Sequence, residues 1–568
     1  MDIWETMDRE RVDEFIAGQL DAWEVPGCAI AAVRGGEGEL AGGWGYRDAE
    51  AGLPVTPDTL FSVASLTKAF TASVIGALAD DGLLEWDRPV RDYAPDVRLH
   101  DPVVTERLTI TDLLAHRSGL PRHDLAWIGH PDRSRADLVR RLRFLPLSRD
   151  LRQAFQYCNF GYLAAGHVAD VVSGGSWEEL ARDRLLGPLG MTRSNLSVGE
   201  LVADPDHATG YLRLRGEVRP VPPRPRPAMA PGGGINSCAA DMARWLLAQL
   251  GDGTEVLSPA TRKRQHAPHM VMGARKGLRA YSRSAYGLGW SIGRYRDRPA
   301  LMHSGSIDGF KAHCVLLPDD GAGAVVLTNG SSRLMPLTVA CRVLDELLGA
   351  ERLDLFSVLK PRADAARTGA RQARAARRVV AGAVPPRPLA EYAGVYEHPG
   401  YGTLTVTLDG DVLKPAFGTM RLSLSHRHYE TFDLRWHERD DPPALYPLTF
   451  VSDPDGDITA LDARFEASVG PLRFARIPEV PGPGVLERLC GTYAMGPATV
   501  TIALRAGRRL TLSAGRGPAL DLEPVRGLRF RVKDRPGTAE FDLDDRGGVA
   551  RLVVQPTGIF YPKPAEAQ

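Results

Sequence analysis

Apolar residues run almost unbroken through GCAIAAVRG (27–35), AHCVLLP (312–318) and GAVVLTN (323–329), and recur through YGLGWSIG (286–293). All four read as strands. Elsewhere the period lengthens to that of a helix, over 65–81, 134–145, 159–173, 176–187, 238–250 and 334–349. The last strand pair followed by an amphipathic helix predicts a sheet covered by helices drawn from both ends of the segment. Residues 361–388, PRADAARTGARQARAARRVVAGAVPPRP, break the pattern with Ala, Arg and Pro and read as a solvated linker or short helix. Beyond them, short alternating segments punctuated by Gly, Asp and Pro predict all-β structure.

This tail repeats. LAEYAGVYEHPGYGTLTVTL from Leu389 matches LERLCGTYAMGPATVTIAL from Leu486, placing Gly394 and Tyr396 against Gly491 and Tyr493. Further on, Phe450 and Gly456 fall against Phe541 and Gly547. Two antiparallel barrels or sandwiches of about 90 residues each follow. The expected division is a mixed α/β (α+β) unit over 1–355, a linker over 356–388, and β modules over 389–480 and 481–568.

At 568 residues the chain exceeds one core. Its composition is 43% hydrophobic and 25% charged with no net charge, so no global field favours nucleic acid or an anionic membrane. Six scattered cysteines without C-x-x-C spacing read as buried thiols in a reduced compartment, not as a disulfide framework or zinc site. With no basic-then-apolar leader and no run of about eighteen apolar residues, the expectation is a cytoplasmic protein without a membrane span. DPDGD (453–457) lacks the frame of a calcium loop and reads as a hairpin turn. His426 and His428 share a strand face without an evident third ligand. Phosphate-loop, zincin and G-x-S-x-G signatures are missing, so no metal or cofactor is expected.

Lysine is scarce: eight of the 70 basic residues, the rest being arginine. One of the eight, Lys68, stands three residues after Ser65 in FSVASLTKAF. On a helix the two share a face. A lysine, unlike an arginine, can give up its proton when desolvated and then serve as base to a hydroxyl. Near the start of the helix before which they stand, Tyr157 and Asn159 in QAFQYCNFGYLAAGH present a phenol and an amide together. In LMHSGSIDGF, His303, Ser304, Gly305 and Ser306 follow a strand, and the N–H groups of Ser65 and Ser306 could form an oxyanion hole.

In this chain order, serine–lysine, tyrosine–asparagine and His-x-Gly resemble the penicillin-recognising serine hydrolases, the group of class C β-lactamases, D-amino-acid peptidases and related esterases. LLAHRSGLP (113–121), PLGM (188–191), GGGINSCAADMARW (232–245) and YGLGW (286–290) look like recurrent segments of that family, and the resemblance covers roughly residues 5–350. The tail is similar to the lipocalin-like domains that follow such units. The resemblance implies the β-lactamase/penicillin-recognising fold, an antiparallel sheet flanked by helices with a helical subdomain, then two small barrel-like domains. It implies Ser65 as acylated nucleophile, Lys68 and Tyr157 as the base pair, and Asn159, His303, Gly305 and Ser306 in contact with substrate, with His303 lining the pocket.

His303-Ser304-Gly305 carries no permanent charge where many relatives have Lys-Thr-Gly. That favours aminopeptidase, amidase or esterase chemistry over an efficient β-lactamase. The leading expectation is a peptidase or amidase for D-amino-acid-containing peptides. Esterase, β-lactamase and acyl transfer or peptide cyclisation remain open alternatives, as does a non-catalytic binding protein on this scaffold. Expected partners are a small-molecule or peptide substrate and, through the β modules, further copies of the chain. Activity is expected to rise toward mildly alkaline pH.

Overall fold

The structure, a computed structural model, describes residues 9–563 apart from 36–37, 253–254, 274–277, 279, 377–379, 381, 439–443, 507 and 516. Its first unit is built from α1 (Arg9–Trp23), β1 (Gly27–Arg34), β2 (Gly38–Asp48), α2 (Thr67–Asp80), α3 (Asn159–Ser173), α4 (Ala239–Leu250), β3 (Tyr281–Tyr286), β4 (Ser291–Tyr295), β5 (Arg298–Ile307), β6 (Phe310–Leu317), β7 (Ala322–Thr328) and α5 (Met335–Leu348), with shorter helices between. The strands form one antiparallel sheet in the order β2-β1-β7-β6-β5-β4-β3, extended at each edge by a two-residue strand.

The apolar run of β1 is explained by burial on both faces. Cys28, Ile30 and Ala32 pack with Val12 and Ile16 of α1 and Val339 of α5 in one core. Ala29, Ala31 and Val33 point to the other, with Trp245 and Leu246 of α4. A strand with period-two side chains and a helix on each side has no polar face to show. In the second core the whole of α2 up to Leu78 is buried, and its Phe70 ring stacks on Trp245 with centroids 3.7 Å apart.

Three stretches differ from the sequence expectation. YGLGWSIG is a hairpin rather than one strand: β3 ends at Tyr286, and the Gly287 N–H donates to the Trp290 carbonyl at 2.7 Å. Gly289 in that turn has φ +84°, and a Cβ there would lie 2.6 Å from the Ala69 Cα of α2, so the glycine serves a close approach that strand propensity does not reveal. The helical period at 176–187 becomes a short helix, Trp177–Ala181, running into a π turn at Arg182–Leu186. The stretch read as a linker or short helix begins as α6 (Leu355–Ala375), 21 residues long. Its first turns are pinned by buried Leu355 and Leu359, and Phe356 lies edge-on to Trp23 at 5.9 Å.

The tail holds two sets of eight antiparallel strands. The first runs from Gly394–His398 to Leu472–Ile477 as an open order; the second, Gly491–Met495 to Gly558–Pro562, closes into a barrel. The sequence repeat is also a structural one. Tyr396 donates to the Tyr392 carbonyl at 2.9 Å, and Tyr493 to that of Leu489 at 2.8 Å. Each tyrosine ring meets the paired phenylalanine edge-on, Phe450 at 5.6 Å and Phe541 at 6.0 Å. Gly456 and Gly547 both close left-handed turns.

The two modules attach differently. The first shares a continuous apolar core with the sheet-and-helix unit, in which Leu125 and Leu145 join Tyr401 and Phe417. The barrel has its own core and meets the first module through charge, with Arg529 on Asp457 at 2.9 Å and Arg531 on Asp453. The DPDGD segment is thus a turn, as expected, and also a docking point. Among the described residues, no helix is long and apolar enough to cross a membrane, and no cluster of His, Cys, Asp or Glu could hold a metal.

Candidate active site

Ser65 sits in a single 3₁₀ turn, Ala64–Leu66, that leads directly into α2, and Lys68 is one turn further on. Ala64 adopts φ +50°, a strained value for a residue with a Cβ, which presents the serine at the mouth of a cavity. Lys68 is fully buried. Its Nζ lies 3.2 Å from Ser65 Oγ, 2.9 Å from Asn159 Oδ1 and 2.6 Å from the Gly232 carbonyl oxygen. The last two partners can only accept. A neutral lysine keeps two N–H bonds for them, which turns its lone pair toward the serine hydroxyl.

Electrostatics favour that neutral form. Burial, reinforced by the Arg122 cation, brings the Lys68 pKa down to about 7. Tyr157 moves the other way: burial pushes its phenol up to about 12, against the opposing influence of a hydrogen bond with Ser65 and of Arg122. The sequence reading paired Tyr157 with Lys68 as base. The structure makes it a protonated phenol beside a deprotonatable amine, because desolvation outweighs both cations near its ring, Lys68 Nζ at 5.0 Å and Arg122 Cζ at 5.1 Å from the centroid.

Asn159 opens α3 and is held at both ends of its amide. Its Oδ1 accepts from Lys68, and its Nδ2 donates to Asp124 Oδ1 at 2.9 Å. Asp124 in turn pairs with Arg122 at 2.7 Å. Ser65, Asn159 and Ser306 all line a cavity of about 790 Å³. Gly305 is where a glycine is required, but for a different neighbour than substrate. A Cβ there would stand 2.2 Å from the Val63 carbonyl oxygen, so its absence lets β5 press against the turn that carries Ser65.

His303 does not line this cavity, contrary to the sequence expectation. It is buried one layer behind, its ring 6.2 Å from that of Tyr157. Its Nδ1 bonds to the Ser304 carbonyl at 3.0 Å, so the proton sits there and Nε2 accepts from the Tyr286 hydroxyl at 2.9 Å. Burial and the nearby Lys68 hold its pKa down at about 3.

The sequence reading also treated the third motif as leaving the site without a permanent charge. Yet Arg122, Arg224, Arg226, Lys311 and Arg333 line the cavity, and Lys311 lies directly across the β5–β6 ladder from Ser306. The uncharged third motif therefore does not leave the cavity without cations, although Arg122 is paired with Asp124 and Arg224 and Arg226 with Asp308. Other contributors were missed outright. Arg122 and Asp124 follow LLAHRSGLP with no periodicity to flag them. His116, within that phrase, lies tilted against Tyr157 with ring centroids 4.3 Å apart and accepts from the Cys158 N–H. Gly232 offers only a backbone carbonyl. Thr419, Glu438 and Ala444 reach the cavity from the first β module.

Comparison with known proteins bears on the fold and the family. The family described as Beta-lactamase matches residues 12–347, and one described as a domain of unknown function, DUF3471, matches 378–476. The unguisins hydrolase ungD' of Aspergillus campestris (strain IBT 28561) is 32% identical over 420 residues, spanning 70% of this chain and 77% of its own. Penicillin-binding protein 4 of Amycolatopsis lactamdurans is 30% identical over 359 residues, 59% of this chain and 88% of its own. Among solved structures, the octameric penicillin-binding protein homologue from Pyrococcus abyssi superposes with a TM-score of 0.55 at 25% identity, covering 82% of this chain and all of that one. A buried lysine poised on a serine, within this fold and among such relatives, makes the chain a member of the Beta-lactamase family, a β-lactamase-like serine hydrolase.

Proposed function

We propose that the protein hydrolyses amide bonds in D-amino-acid-containing peptides through an acyl-enzyme on Ser65. The observation that carries the reading is the lone pair of Lys68: two carbonyl acceptors fix its N–H bonds, burial favours its neutral form, and Ser65 Oγ is what remains in front of it. Lys68 takes the serine proton as Ser65 attacks the carbonyl. The N–H groups of Ser65 and Ser306 receive the oxyanion. Tyr157, a phenol within reach of Ser65, passes a proton to the departing amine, and the same pair activates the water that releases the acyl group.

The substrate class is supported by the resemblance to D-amino-acid peptidases, by a relative named as a hydrolase of unguisins, and by a cavity within the range of about 300–1,000 Å³ that takes a compact organic ligand. Self-association is part of the proposal, since the homologue from Pyrococcus abyssi is octameric. Light scattering in solution reads it.

A fluorescent phosphonate should label the protein and fail to label Ser65→Ala. A panel of p-nitroanilides and esters of L- and D-residues should show preference for D. Labelling that persists in Ser65→Ala would remove the nucleophile assignment. Preference for L would remove the stereochemical one and leave the hydrolase.

A further inference from the structure

The tripeptide Arg122-His123-Asp124 touches the site on both flanks. The Arg122 guanidinium covers the Tyr157 ring, and Asp124 holds Arg122, the Asn159 amide and the Trp127 indole N–H at 2.7, 2.9 and 3.2 Å. The residue between them is fully buried and left-handed, with φ +45°, a region uncommon for residues with a Cβ though one that histidine enters more readily than most, and here tertiary contacts hold it. Two of its three contacts come from the first β module. His123 Nε2 bonds to the Pro146 carbonyl at 2.9 Å and must therefore be the protonated nitrogen. Its Nδ1 accepts from the Tyr401 hydroxyl at 2.7 Å, and its backbone N–H donates to Glu466 at 3.2 Å. Tyr401 is itself buried, in a cluster with Phe465 and Phe474.

We propose that the first β module is a brace for the proton-transfer groups: Tyr401 and Glu466 clamp His123 in its left-handed turn, and that turn fixes Arg122 and Asp124 against Tyr157 and Asn159. His123, Tyr401, Glu466 and Asp124 are positioning residues. They act through Asn159 and Tyr157 on Lys68, so the inference rests on Lys68 being the base. Loosening the turn frees the Asn159 amide and the roof over Tyr157, admits water to Lys68, and raises its proton affinity toward that of an ordinary lysine. Besides Arg122 and Asp124, the ionisable groups facing Lys68 are Tyr157, Tyr162, Cys158, His116 and His303. Burial keeps all five neutral between pH 5 and 9, since it raises the first three and lowers the two histidines. A moved midpoint is thus attributable to Lys68.

The test is Tyr401→Phe in the full chain, which removes one oxygen and keeps the ring in its cluster, with Glu466→Ala as a second variant on a half-buried loop. The rate of Ser65 phosphonylation is followed against pH, with thermal melting alongside. Both variants are expected to lose roughly tenfold in kcat on the best substrate of the panel at pH 7 with KM little changed, and to shift the midpoint upward by about one pH unit, while Glu466→Gln, which keeps an acceptor for the His123 N–H, restores the wild-type profile. A lowered melting temperature with rate and midpoint unchanged would assign the contact to stability alone and overturn the brace, as would a downward shift. The Ser65→Ala control separates the two failures. Labelling that survives it sinks the catalytic reading, whereas labelling that it abolishes, with both variants behaving as wild type, sinks only the brace.

Discussion

The proton affinity of Lys68 gives the sharpest quantitative test of the site. An exposed lysine titrates near 10.5, and burial beside Arg122 lowers this one to about 7. At about 1.4 kcal/mol per unit, the pocket disfavours the ammonium by roughly 5 kcal/mol relative to water. In kinetic terms, the neutral fraction at pH 7 rises from about one molecule in 3,000 to about one in two. If Lys68 accepts the Ser65 proton, acylation must follow that fraction: about 1% of maximum at pH 5, 9% at pH 6, half at pH 7 and 90% at pH 8. The limb should be single, because His116 and His303 are held neutral far below this window and Tyr157 ionises only toward 12.

The assay is the second-order rate of fluorophosphonate labelling in buffers of constant ionic strength, since that reagent reports the nucleophile without a substrate pKa of its own. Lys68→Arg completes it. A guanidinium keeps its proton at every pH in the range, so this variant should lose at least about 10³ in rate at pH 8 and show no limb. Near-UV circular dichroism checks that the longer side chain is accommodated. A flat wild-type profile from pH 5 to 8, or a Lys68→Arg variant within tenfold of wild type, would refute Lys68 as the base.

Two further outcomes follow from close contacts. Gly305→Ala places a Cβ 2.2 Å from the Val63 carbonyl oxygen, and the strand or the Ser65 turn must shift. A displacement near 1 Å at the nucleophile costs about 10²-fold, so labelling should fall by that order with far-UV dichroism unchanged; a variant as fast as wild type would show that the turn yields harmlessly. The barrel docks through Arg529–Asp457 and Arg531–Asp453, pairs largely shielded from solvent, so removing the arginines leaves Asp457 and Asp453 without their cations in a partly desolvated seam. Arg529→Gln with Arg531→Gln should therefore speed hydrogen exchange around 453–457 without changing labelling of Ser65. Unchanged protection there would mean that other contacts hold the barrel.

The parts of this protein that were legible in its sequence are those in which one residue type states its own reason. Ser65, Lys68, Tyr157 and Asn159 come together in one cluster, and their proposed roles as nucleophile, base, proton donor and orienting amide rest on that convergence, since each motif read singly has an ordinary structural use. The two β modules were legible because a buried tyrosine bonding four residues back, a facing phenylalanine and a turn glycine recur at matching positions. What stayed hidden is relational. Gly289 and Gly305 are glycines because of another segment's backbone, at Ala69 and Val63, and neither local pattern names that partner. His303 looked like a pocket residue because its strand edges the site, but whether a side chain faces cavity or core depends on register and on the Tyr286 hydroxyl waiting for it. Arg122, His123 and Asp124 carry no period at all. Their meaning comes from Tyr401, 278 residues after His123, so nothing short of the assembled core could have linked the β module to the proton on Lys68.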